Sequence, residues 1–457
     1  MTPMTRDQDR DQGWKQGWKR LIYTEAPSDR GNMRRVLNSL VLHLHPVRVP
    51  ARAIRFTYTW GLGGISTLLC LLLAITGVLL MFRYEPDIER AYLSIQALEA
   101  EVAFGSLIRG VHHWSANLLV ITIFLHLLRV FFTGGFKAGR TTNWIIGVVL
   151  LVVVLAFNFT GYLLPWDQLS YWAVTVSTAI MRYVPGLGTE VAKGLLGGHE
   201  VGAATLRNFY ALHVAVLPAG MLALLGYHFW RIRKDGGISQ PLTHPEGGDV
   251  RVTTIPHLVR REAAVAAVVL TAIVAFSMLV TAPLGPVADP LHSPNPAKAA
   301  WYFGGLQELL LHMETEAALV LLAIVGAAVV LVPVLDRDRA TIGVYFRSAR
   351  GRAAALLGAV AGLNLTPLAI LADELWIDWS ALMPGAPTWV SHGFVPLAVV
   401  LIAFCAVALA ARWLLKATYG ESIVAVGAFL VAALLVMTIT CALFRGENMD
   451  LVWPGGL

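Results

Sequence analysis

The stretch RGVHHWSANLLVITIFLHLLR, Arg109–Arg129, places three histidines in an apolar segment that begins and ends with arginine. An ionisable side chain is expensive to bury in hydrocarbon, so histidines inside a membrane helix indicate a function. At about 100° per residue, the interval from His112 to His126 returns to within roughly 40° of the same helix face. His113 and His126 fall on nearly opposite faces. The pattern predicts that His112 and His126 act on one face and that His113 faces elsewhere.

The chain around this segment is too apolar for a soluble globular protein. Its 457 residues are 56% hydrophobic and 14% charged, with a mean hydropathy of +0.64. The first 55 residues contain no apolar run before a cleavage site, so no removable signal peptide is expected. The three separated cysteines form no CxxC or CxxCH motif, so neither a zinc site, a disulfide framework nor a covalent c-type haem is indicated: Cys70, Cys405 and Cys441.

Nine apolar stretches have the length of roughly 20 residues that spans the hydrocarbon core. They lie at about 56–82, 107–133, 143–164, 207–230, 263–283, 316–335, 353–372, 391–411 and 423–444. The sequence therefore predicts an all-α integral membrane protein with about nine transmembrane helices. The long connections 164–206 and 284–315 contain Trp, Tyr and Pro, which favours short interfacial helices over simple turns.

Lys and Arg concentrate on one side of these spans, which predicts that this side is the inside of a bacterial-type inner membrane. Eleven of them lie in residues 1–55, and the second, fourth, sixth and eighth connections carry further basic groups. The N-terminus is then inside and the C-terminus outside. The net charge of +6 follows from this topology, and no nucleic acid partner is expected. The predicted parts are a basic segment 1–55, a four-helix domain 56–232, an inside linker 233–262 and a five-helix domain 263–457.

The fourth span repeats the histidine pattern of the second. In FYALHVAVLPAGMLALLGYHFWRIRK, His213 and His228 are fifteen residues apart, about 60° from superposition on a regular helix. Both spans run in the same direction, so His112 should face His213 near the outside, and His126 should face His228 near the inside. Two imidazoles at each level make a poor tetrahedral zinc site but suit the two axial positions of a haem iron. Two b-type haems, one above the other, are expected.

Cations and glycines recur at the same two levels. Haem propionates need cations, and four arginines stand at the helix ends, namely Arg109 and Arg207 outside and Arg129 and Arg231 inside. A flat macrocycle needs positions without side chains, which glycine provides. Two pairs of glycines repeat the fourteen-residue spacing: Gly63 with Gly77, and Gly147 with Gly161. The alternative is that these are packing histidines and ordinary small-residue helix contacts.

Four strings resemble the cytochrome b subunit of the Rieske/cytochrome b complexes, the quinol:cytochrome c or quinol:plastocyanin oxidoreductases. They are FGSLIRGVHHWSANLLV, TGGFKAGRTTNWIIGVVL, GYLLPWDQLSYWAV and NFYALHVAVLP, and the resemblance covers residues 40–340. The fifteen-residue interval and PWDQ look closer to the chloroplast-type split form, which suggests a fused version of it. That form carries a covalent extra haem on a cysteine near the first helix. Gly61 stands at the aligned position here, so no such haem is expected.

The resemblance implies a haem b-carrying, quinone-binding subunit of a quinol:cytochrome c oxidoreductase-type complex that translocates protons. In this family quinol is oxidised at an outer site, one electron passes to a mobile Rieske iron–sulfur protein, and the other crosses two haems to an inner quinone site. The implied partners are a Rieske protein, a c-type cytochrome, a second copy of the chain and membrane lipid. One alternative is a non-bifurcating di-haem conduit between the quinone pool and another redox partner. Another is a transporter that uses buried histidines as proton relays.

The implied outer site lies between Gly161–Gln168, with Tyr162, Pro165 and Trp166, and the loop PNPAKAAWYFGGLQELL. Where the family has Pro-Glu-Trp-Tyr, this chain has Ala299, Ala300, Trp301 and Tyr302. Alanine cannot accept the quinol proton that the glutamate is expected to take, and this departure is the best support for the conduit. Four acids are candidate replacements: Glu308, Asp167, Glu314 and Glu316. Tyr302 and Tyr162 can donate hydrogen bonds to a quinone carbonyl.

The implied inner site lies in PHLVRRE, where the family's longer form has a Lys-Asp pair. Arg261 and Glu262 are its counterparts, able to bind a quinone oxygen and relay a proton. The alternative is that these charges only anchor the helix end at the membrane surface. No chemistry is assigned to the last two spans, residues 390–444.

Overall fold

The computed structural model describes residues 45–240, 250–336 and 342–453. Within these ranges nine helices are long and apolar enough to cross a membrane, which confirms the all-α integral membrane class. They are α1 Leu62–Met81, α2 Gly105–Phe132, α3 Thr141–Leu163, α4 Ala203–Lys234, α5 Thr254–Leu279, α6 Thr315–Leu335, α7 Ala349–Leu375, α8 Trp389–Leu414 and α9 Tyr419–Leu443. We call the side where α1 begins the N side and the side where α9 ends the C side.

Short elements connect these spans. The described helices outside them are Phe56–Thr59, Ala91–Glu101, Gln168–Met181, Gly188–Leu196, Trp301–Leu311, Trp379–Leu382 and the 3₁₀ turn Glu447–Met449. Strands β1 Arg48–Pro50 and β2 Arg251–Thr253 pair antiparallel, with Val49 opposite Val252. Interfacial helices are present in both connections where the sequence predicts them. The helix Ala91–Glu101 was not predicted.

The start of α5 differs from its prediction. The helix begins at Thr254 rather than near residue 263. A hydropathy pattern excludes the charged residues Arg260–Glu262, although a helix continues readily into the polar interface, where such side chains reach water. The apolar run therefore marks the buried part of α5 and not its full length.

The first four spans form a bundle that α5 covers on one side. Leu69 of α1, Leu119 of α2 and Val154 of α3 are buried in one apolar cluster, and Ile273 of α5 joins it. Gly110 brings α2 and α5 together, because a Cβ on this residue would lie 3.3 Å from the Cβ of Ser277.

Helices α7 and α9 approach each other closely in the C-terminal part. A Cβ on Gly358 would lie 2.0 Å from the carbonyl oxygen of Ala425, and one on Gly362 would lie 2.7 Å from that of Phe429. Neither glycine can become alanine without moving a backbone. Small residues of this kind let membrane helices approach closely enough for van der Waals packing to hold them.

A buried ion cluster on the N side joins the two parts of the chain. Asp336, after α6, accepts from Lys137 at 2.8 Å and from Arg347 at 3.0 Å, and all three side chains are at most 3% exposed. Arg347 also donates to the carbonyl oxygen of Phe132 at the end of α2. The cluster therefore ties the connection after α2 to the connection between α6 and α7.

Candidate functional site

Two pairs of histidines lie between α2 and α4, at two depths. On the C-side level the ring centroids of His112 and His213 are 6.3 Å apart, with their planes at 66°. On the N-side level His126 and His228 line one cavity of about 1070 Å³. His113 is outside both pairs, and its ring packs edge-on against Trp114, with centroids 4.7 Å apart. The structure thus brings together the side chains that the helical periodicity paired.

A π-helical segment in α4 accounts for the unequal histidine spacing. Residues Leu212–Val216 form this segment, and Leu217 N–H donates to the carbonyl oxygen of Leu212. A π turn takes up one residue more than an α turn and often occurs at functional sites. The fifteen-residue interval of α4 therefore matches the fourteen-residue interval of α2 more closely than a regular helix allows. Pro218 follows the segment and supplies no N–H of its own.

Threonine hydroxyls orient the two C-side imidazoles. Thr76 Oγ1 lies 2.8 Å from His112 Nδ1, and Thr160 Oγ1 lies 3.1 Å from His213 Nδ1. Each hydroxyl donates its one proton to the carbonyl oxygen four residues earlier, at 2.8 Å. The oxygen must then accept from an Nδ1–H, because a hydroxyl has a single donor. This tautomer leaves Nε2 of both rings with a free lone pair, as a metal ligand requires.

Glycines leave the space that these rings occupy. A Cβ on Gly161 would lie 2.5 Å from His213 Cε1, one on Gly77 would lie 3.3 Å from His112 Cε1, and one on Gly63 would lie 3.4 Å from His126 Cε1. A Cβ on Gly147 would meet nothing within 4 Å, and this residue lines the N-side cavity. Of the four glycines predicted from spacing, three therefore lie beside histidines of the two pairs, and the fourth, Gly147, lines the N-side cavity.

The N-side level has buried polar atoms without a protein partner. Among the described residues, no hydrogen bond satisfies His228 Nδ1, Arg129 Nη2 or Arg231 Nε. Arg129 is 9% exposed, and its guanidinium lies over the ring of Tyr58, 4.7 Å from the centroid. Arg231 also pairs with Asp235 at 3.1 Å. Unsatisfied buried polar groups are costly, so their presence indicates a ligand that supplies the missing partners.

The two C-side arginines are placed differently from each other. Arg109 is buried and donates to the carboxylate of Glu99, to the carbonyl oxygen of Ala282 at 3.0 Å and to that of Pro283 at 2.5 Å. Arg207 is exposed. Arg109 thus fastens the C-side end of α5 to α2, and the sequence prediction missed its pairing with Glu99.

The charges predicted for the inner site border the N-side cavity. Arg261 and Glu262 both line it, together with His45. Arg261 donates to the carbonyl oxygen of Ile54, and the Glu262 carboxylate lies 3.1 Å from His45 Nε2. His45 was not predicted from the sequence. The polar residues His45, Arg261 and Glu262 therefore line the same cavity as the pair His126 and His228.

The segment PWDQ is fastened to the connection that follows α5. One oxygen of Asp167 accepts from Ser170 N–H at 2.9 Å and caps the helix Gln168–Met181, and the other accepts from Gly285 N–H at 3.0 Å. Gln168 accepts from Asp289 N–H at 2.6 Å. Trp166 is buried and Pro165 half-buried beside them. Asp167 therefore has a structural partner on each carboxylate oxygen.

Trp301 and Tyr302 open the helix Trp301–Leu311 against the first bundle. Trp301 Nε1–H donates to Asn117 Oδ1 of α2 at 2.7 Å. Tyr302 packs on the cluster of α1 and α2. Burial, with Tyr162 nearby, raises the pKa of Tyr302 well above its ordinary value. The phenol therefore stays protonated and can donate a hydrogen bond.

Glu308, on the same helix, is fully buried in an ion pair. Arg445 donates to both of its oxygens, at 2.6 and 3.0 Å, and His312 Nε2 lies 3.3 Å away. Burial alone would raise the pKa of Glu308, but the hydrogen bonds from His312 and Arg445 hold it below its usual range. The other two candidate acids lie at the start of α6, where Glu314 N–H donates to the carbonyl oxygen of His392 and Glu316 is exposed.

Paired histidines at two depths of a membrane helical bundle define the class of b-type membrane cytochromes. Residues 49–236 match the family model described as Cytochrome b/b6/petB. Over 187 residues the chain is 46% identical to the menaquinol:cytochrome c reductase cytochrome b subunit of Bacillus subtilis, covering 40% of this chain and 83% of that one. It is 44% identical over 198 residues to cytochrome b6 of Heliobacterium modesticaldum, covering 43% and 91%. The chain belongs to the cytochrome b/b6 family.

A solved structure extends the likeness in fold beyond the family match. The chain superposes on a chain of a hyperthermophilic respiratory Complex III with a TM-score of 0.64 and 24% identity, covering 82% of this chain and 96% of that one. Because the first four spans end at residue 234 of 457, a match over 82% of the chain must extend into the C-terminal spans.

Proposed function

We propose that this chain is the haem b-carrying, quinone-binding subunit of a quinol:cytochrome c reductase-type complex. The observation that carries the proposal is the pair of imidazoles on α2 and α4 at each of two membrane depths, with 6.3 Å between the C-side ring centroids. Two of the relatives support it, because one is described as the cytochrome b subunit of a menaquinol:cytochrome c reductase and the other as cytochrome b6.

The haem assignment rests on the fit of the residues present. His112 and His213 would hold the C-side haem, because their Nδ1 atoms are engaged by threonine and their Nε2 atoms are free. His126 and His228 would hold the N-side haem in the cavity of about 1070 Å³. Arg129 and Arg231 have donors that would meet propionates. When bound, the haems supply one-electron redox chemistry, and the protein keeps their ligands aligned and water away.

Arg261, Glu262 and His45 would form the N-side quinone site. The cation and the histidine can donate hydrogen bonds to a quinone oxygen, and Glu262 can pass on a proton. All three border the cavity that holds His126 and His228. A quinone in this cavity could thus take an electron from the N-side haem and a proton from Glu262.

The C-side quinone site would lie between PWDQ and the helix Trp301–Leu311. Tyr302 and Tyr162 can donate hydrogen bonds to the quinone carbonyl. Trp301, which is hydrogen-bonded to Asn117 of α2, would form one side of the site. Two features favour the second candidate, a non-bifurcating conduit: Ala300 offers no proton acceptor, and Glu308 is already paired with Arg445. We place bifurcating quinol oxidation first because Glu314 and Glu316 remain near the start of α6 as acids.

We further propose the partners, orientation and division of the chain that the sequence predicts. A Rieske protein and a c-type cytochrome would accept electrons on the C side, which would be the outside, and the complex would be a homodimer. Residues 56–232 would form the di-haem domain, 233–262 a linker and 263–457 the quinol-loop domain. Of the linker, residues 241–249 lie outside the described part of the chain, as do residues 1–44 of the basic segment.

Haem stoichiometry in the purified complex tests the proposal. The unmodified chain should bind two haem b, His126→Ala and His228→Ala should each lose the N-side haem, and the matched control His113→Ala should keep both. Two intact haems in both ligand variants would refute the pairing. Counting electrons delivered to the Rieske centre against those delivered to the C-side haem, after a single quinol turnover, separates bifurcation from a conduit.

A further inference from the structure

The chain that follows α9 is anchored in the protein by Arg445. Its side chain is 1% exposed and makes a two-point contact with Glu308, which is fully buried. A third donor of the same guanidinium reaches Glu374 at the end of α7 at 2.6 Å, and Nη1 also donates to the carbonyl oxygen of Met449. Arg445 thus connects α7, the helix Trp301–Leu311 and its own segment.

The end of α9 and the chain after it also form hydrogen bonds with the loop that precedes the helix Trp301–Leu311. Asn448 N–H donates to Asn295 Oδ1 at 2.6 Å, and Asn295 Nδ2 donates back to Asn448 Oδ1 at 3.0 Å. Lys298 Nζ donates to the carbonyl oxygen of Ala442 at 3.1 Å. The chain leading into the segment Ala299–Tyr302, which stands where the family has Pro-Glu-Trp-Tyr, is therefore held by residues near or after the end of α9, and the helix that follows the segment is held through Glu308.

Gln307 completes this attachment from within the helix. Its amide nitrogen donates to the carbonyl oxygen of Ala297, and its amide oxygen accepts from Ala299 N–H, both at 2.7 Å. Cys441 of α9 contacts the same oxygen at 3.4 Å. The loop is thus folded back on the helix, and α9 touches the side chain that folds it.

The helix Trp301–Leu311 lies flat on α9. A Cβ on Gly305 would be 2.7 Å from Leu434 Cδ1 and 2.9 Å from Thr438 Oγ1, and one on Gly304 would be 3.5 Å from the Cβ of Cys441. Packed interfaces of this kind have discrete arrangements and resist gradual deformation. A change at the Glu308 end must therefore reach Trp301 and Tyr302 as a shift of the whole helix.

The ionic cluster reaches further towards the C-side surface. His312 Nδ1 lies 2.7 Å from Asp373 Oδ2, and Trp379 Nε1–H donates to Asp373 Oδ1 at 2.8 Å. Glu308 thus contacts two basic side chains, Arg445 and His312, and Arg445 contacts two carboxylates, Glu308 and Glu374. A buried pair that loses one member leaves an uncompensated charge, which disturbs its surroundings strongly.

We infer that Arg445 is a positioning residue for the C-side quinone site, acting through Glu308 to fix the helix that presents Trp301 and Tyr302 to quinol. This inference rests on the proposed function, because it names what orients the residues of that site. It also gives the last span a role. The helix Trp301–Leu311 packs on α9, and Arg445 in the chain after α9 holds that helix in place. Glu308 serves here as the anchor of Arg445.

The test uses the complete complex with Arg445→Gln, Arg445→Lys and Glu308→Gln, and with Arg412→Gln as the matched control. Arg412 is an exposed cation of α8. Displacement of a binding group by about 1 Å can lower turnover by up to roughly 100-fold. We expect kcat/KM for quinol to fall by roughly tenfold or more in Arg445→Gln and Glu308→Gln, with partial rescue in Arg445→Lys. The double variant should be little worse than either single one, because the two side chains act through each other.

Four readouts separate the possible failures. The two-haem spectrum and electron entry from the N-side quinone should stay normal in every variant, which a general loss of folding would not allow. Unchanged kcat/KM and unchanged affinity for a C-side quinone-site inhibitor in Arg445→Gln would overturn the inference. If Arg445→Gln does not accumulate, the uncharged double variant Glu308→Gln with Arg445→Gln answers the same question. Absence of two haems or of quinol turnover in the unmodified complex would instead refute the proposed function.

Discussion

Gly161→Ala should displace His213, the proposed C-side haem ligand, and leave the proposed N-side ligands in place. The added Cβ would lie 2.5 Å from His213 Cε1, whereas ordinary contact begins at 3.4 Å. The ring must therefore move by about 1 Å, because the atoms of a packed interior cannot interpenetrate. Metal–ligand distances tolerate only about 0.2 Å. The ring also bonds to Thr160 at 3.1 Å, so its escape strains that hydrogen bond.

The effect should follow the distances at the other glycines. A Cβ at Gly77 would lie 3.3 Å from His112, and one at Gly63 would lie 3.4 Å from His126. Small neighbouring shifts accommodate these two, so Gly77→Ala and Gly63→Ala should keep both haems. Overpacking of a core costs about 1–3 kcal/mol, and Gly161→Ala should lie at the upper end of that range.

Haem content per chain and a redox titration at the α-band check this prediction. Gly161→Ala should bind about one haem per chain, or two with only the C-side potential shifted. Gly220→Ala is the control, because its Cβ would meet nothing within 4 Å on α4. Two haems with the potentials of the control would refute the assignment of Gly161 to the space beside a ligand.

Three further predictions concern other parts of the chain. Thr76→Val should raise the midpoint potential of the proposed C-side haem and spare the N-side one in a redox titration, because His112 loses the acceptor that makes it a stronger donor. Thr175→Val is the control, because its hydroxyl makes the same bond to the carbonyl oxygen four residues earlier and does not line the N-side cavity. Burial would lower the pKa of His312, but hydrogen bonds to Asp373 and Glu308 raise it to about 9. The resulting stability, about 3 kcal/mol, is complete below pH 6.5 and is lost as pH rises through about 9, so the unfolding temperature should fall over this interval in the parent and stay level in His312→Gln. Asp336→Ala should destabilise the protein by about 3–5 kcal/mol, measured by thermal unfolding, because two buried cations lose their shared carboxylate; an unchanged unfolding temperature would contradict this.

Hydrophobic length and helical periodicity predict the spans and the histidine pairs, because both depend on short-range regularity in the sequence. The helix Ala91–Glu101 was missed although a signal exists: Ala91, Ile95 and Leu98 are its buried residues and repeat at helical spacing. Polar residues around them lower the mean hydropathy, which hides a short helix that lies outside the membrane.

The residues that orient the site were harder to find. Thr76 and Thr160 each stand directly before a predicted glycine, so the repeated Thr-Gly pair was a usable signal for the C-side level. No local pattern links Glu308 to Arg445, which are 137 positions apart and meet only because α9 packs along the helix Trp301–Leu311. Periodicity reports which face a residue occupies and not which distant residue covers it.

The two levels of the proposed haem sites differ in how their histidines are held. The C-side imidazoles each contact a threonine hydroxyl and a nearby glycine, so ring orientation is fixed before any cofactor binds. The N-side level instead has His228 Nδ1 and Arg129 Nη2 without partners among the described residues, and it opens into the cavity that Arg261 and Glu262 border. A rigid ligand set favours fast electron transfer with little rearrangement, whereas an open polar cavity lets quinone and protons enter. The asymmetry of the side chains is consistent with the proposed function, in which electrons would enter at a fixed C-side centre and leave at an accessible N-side one.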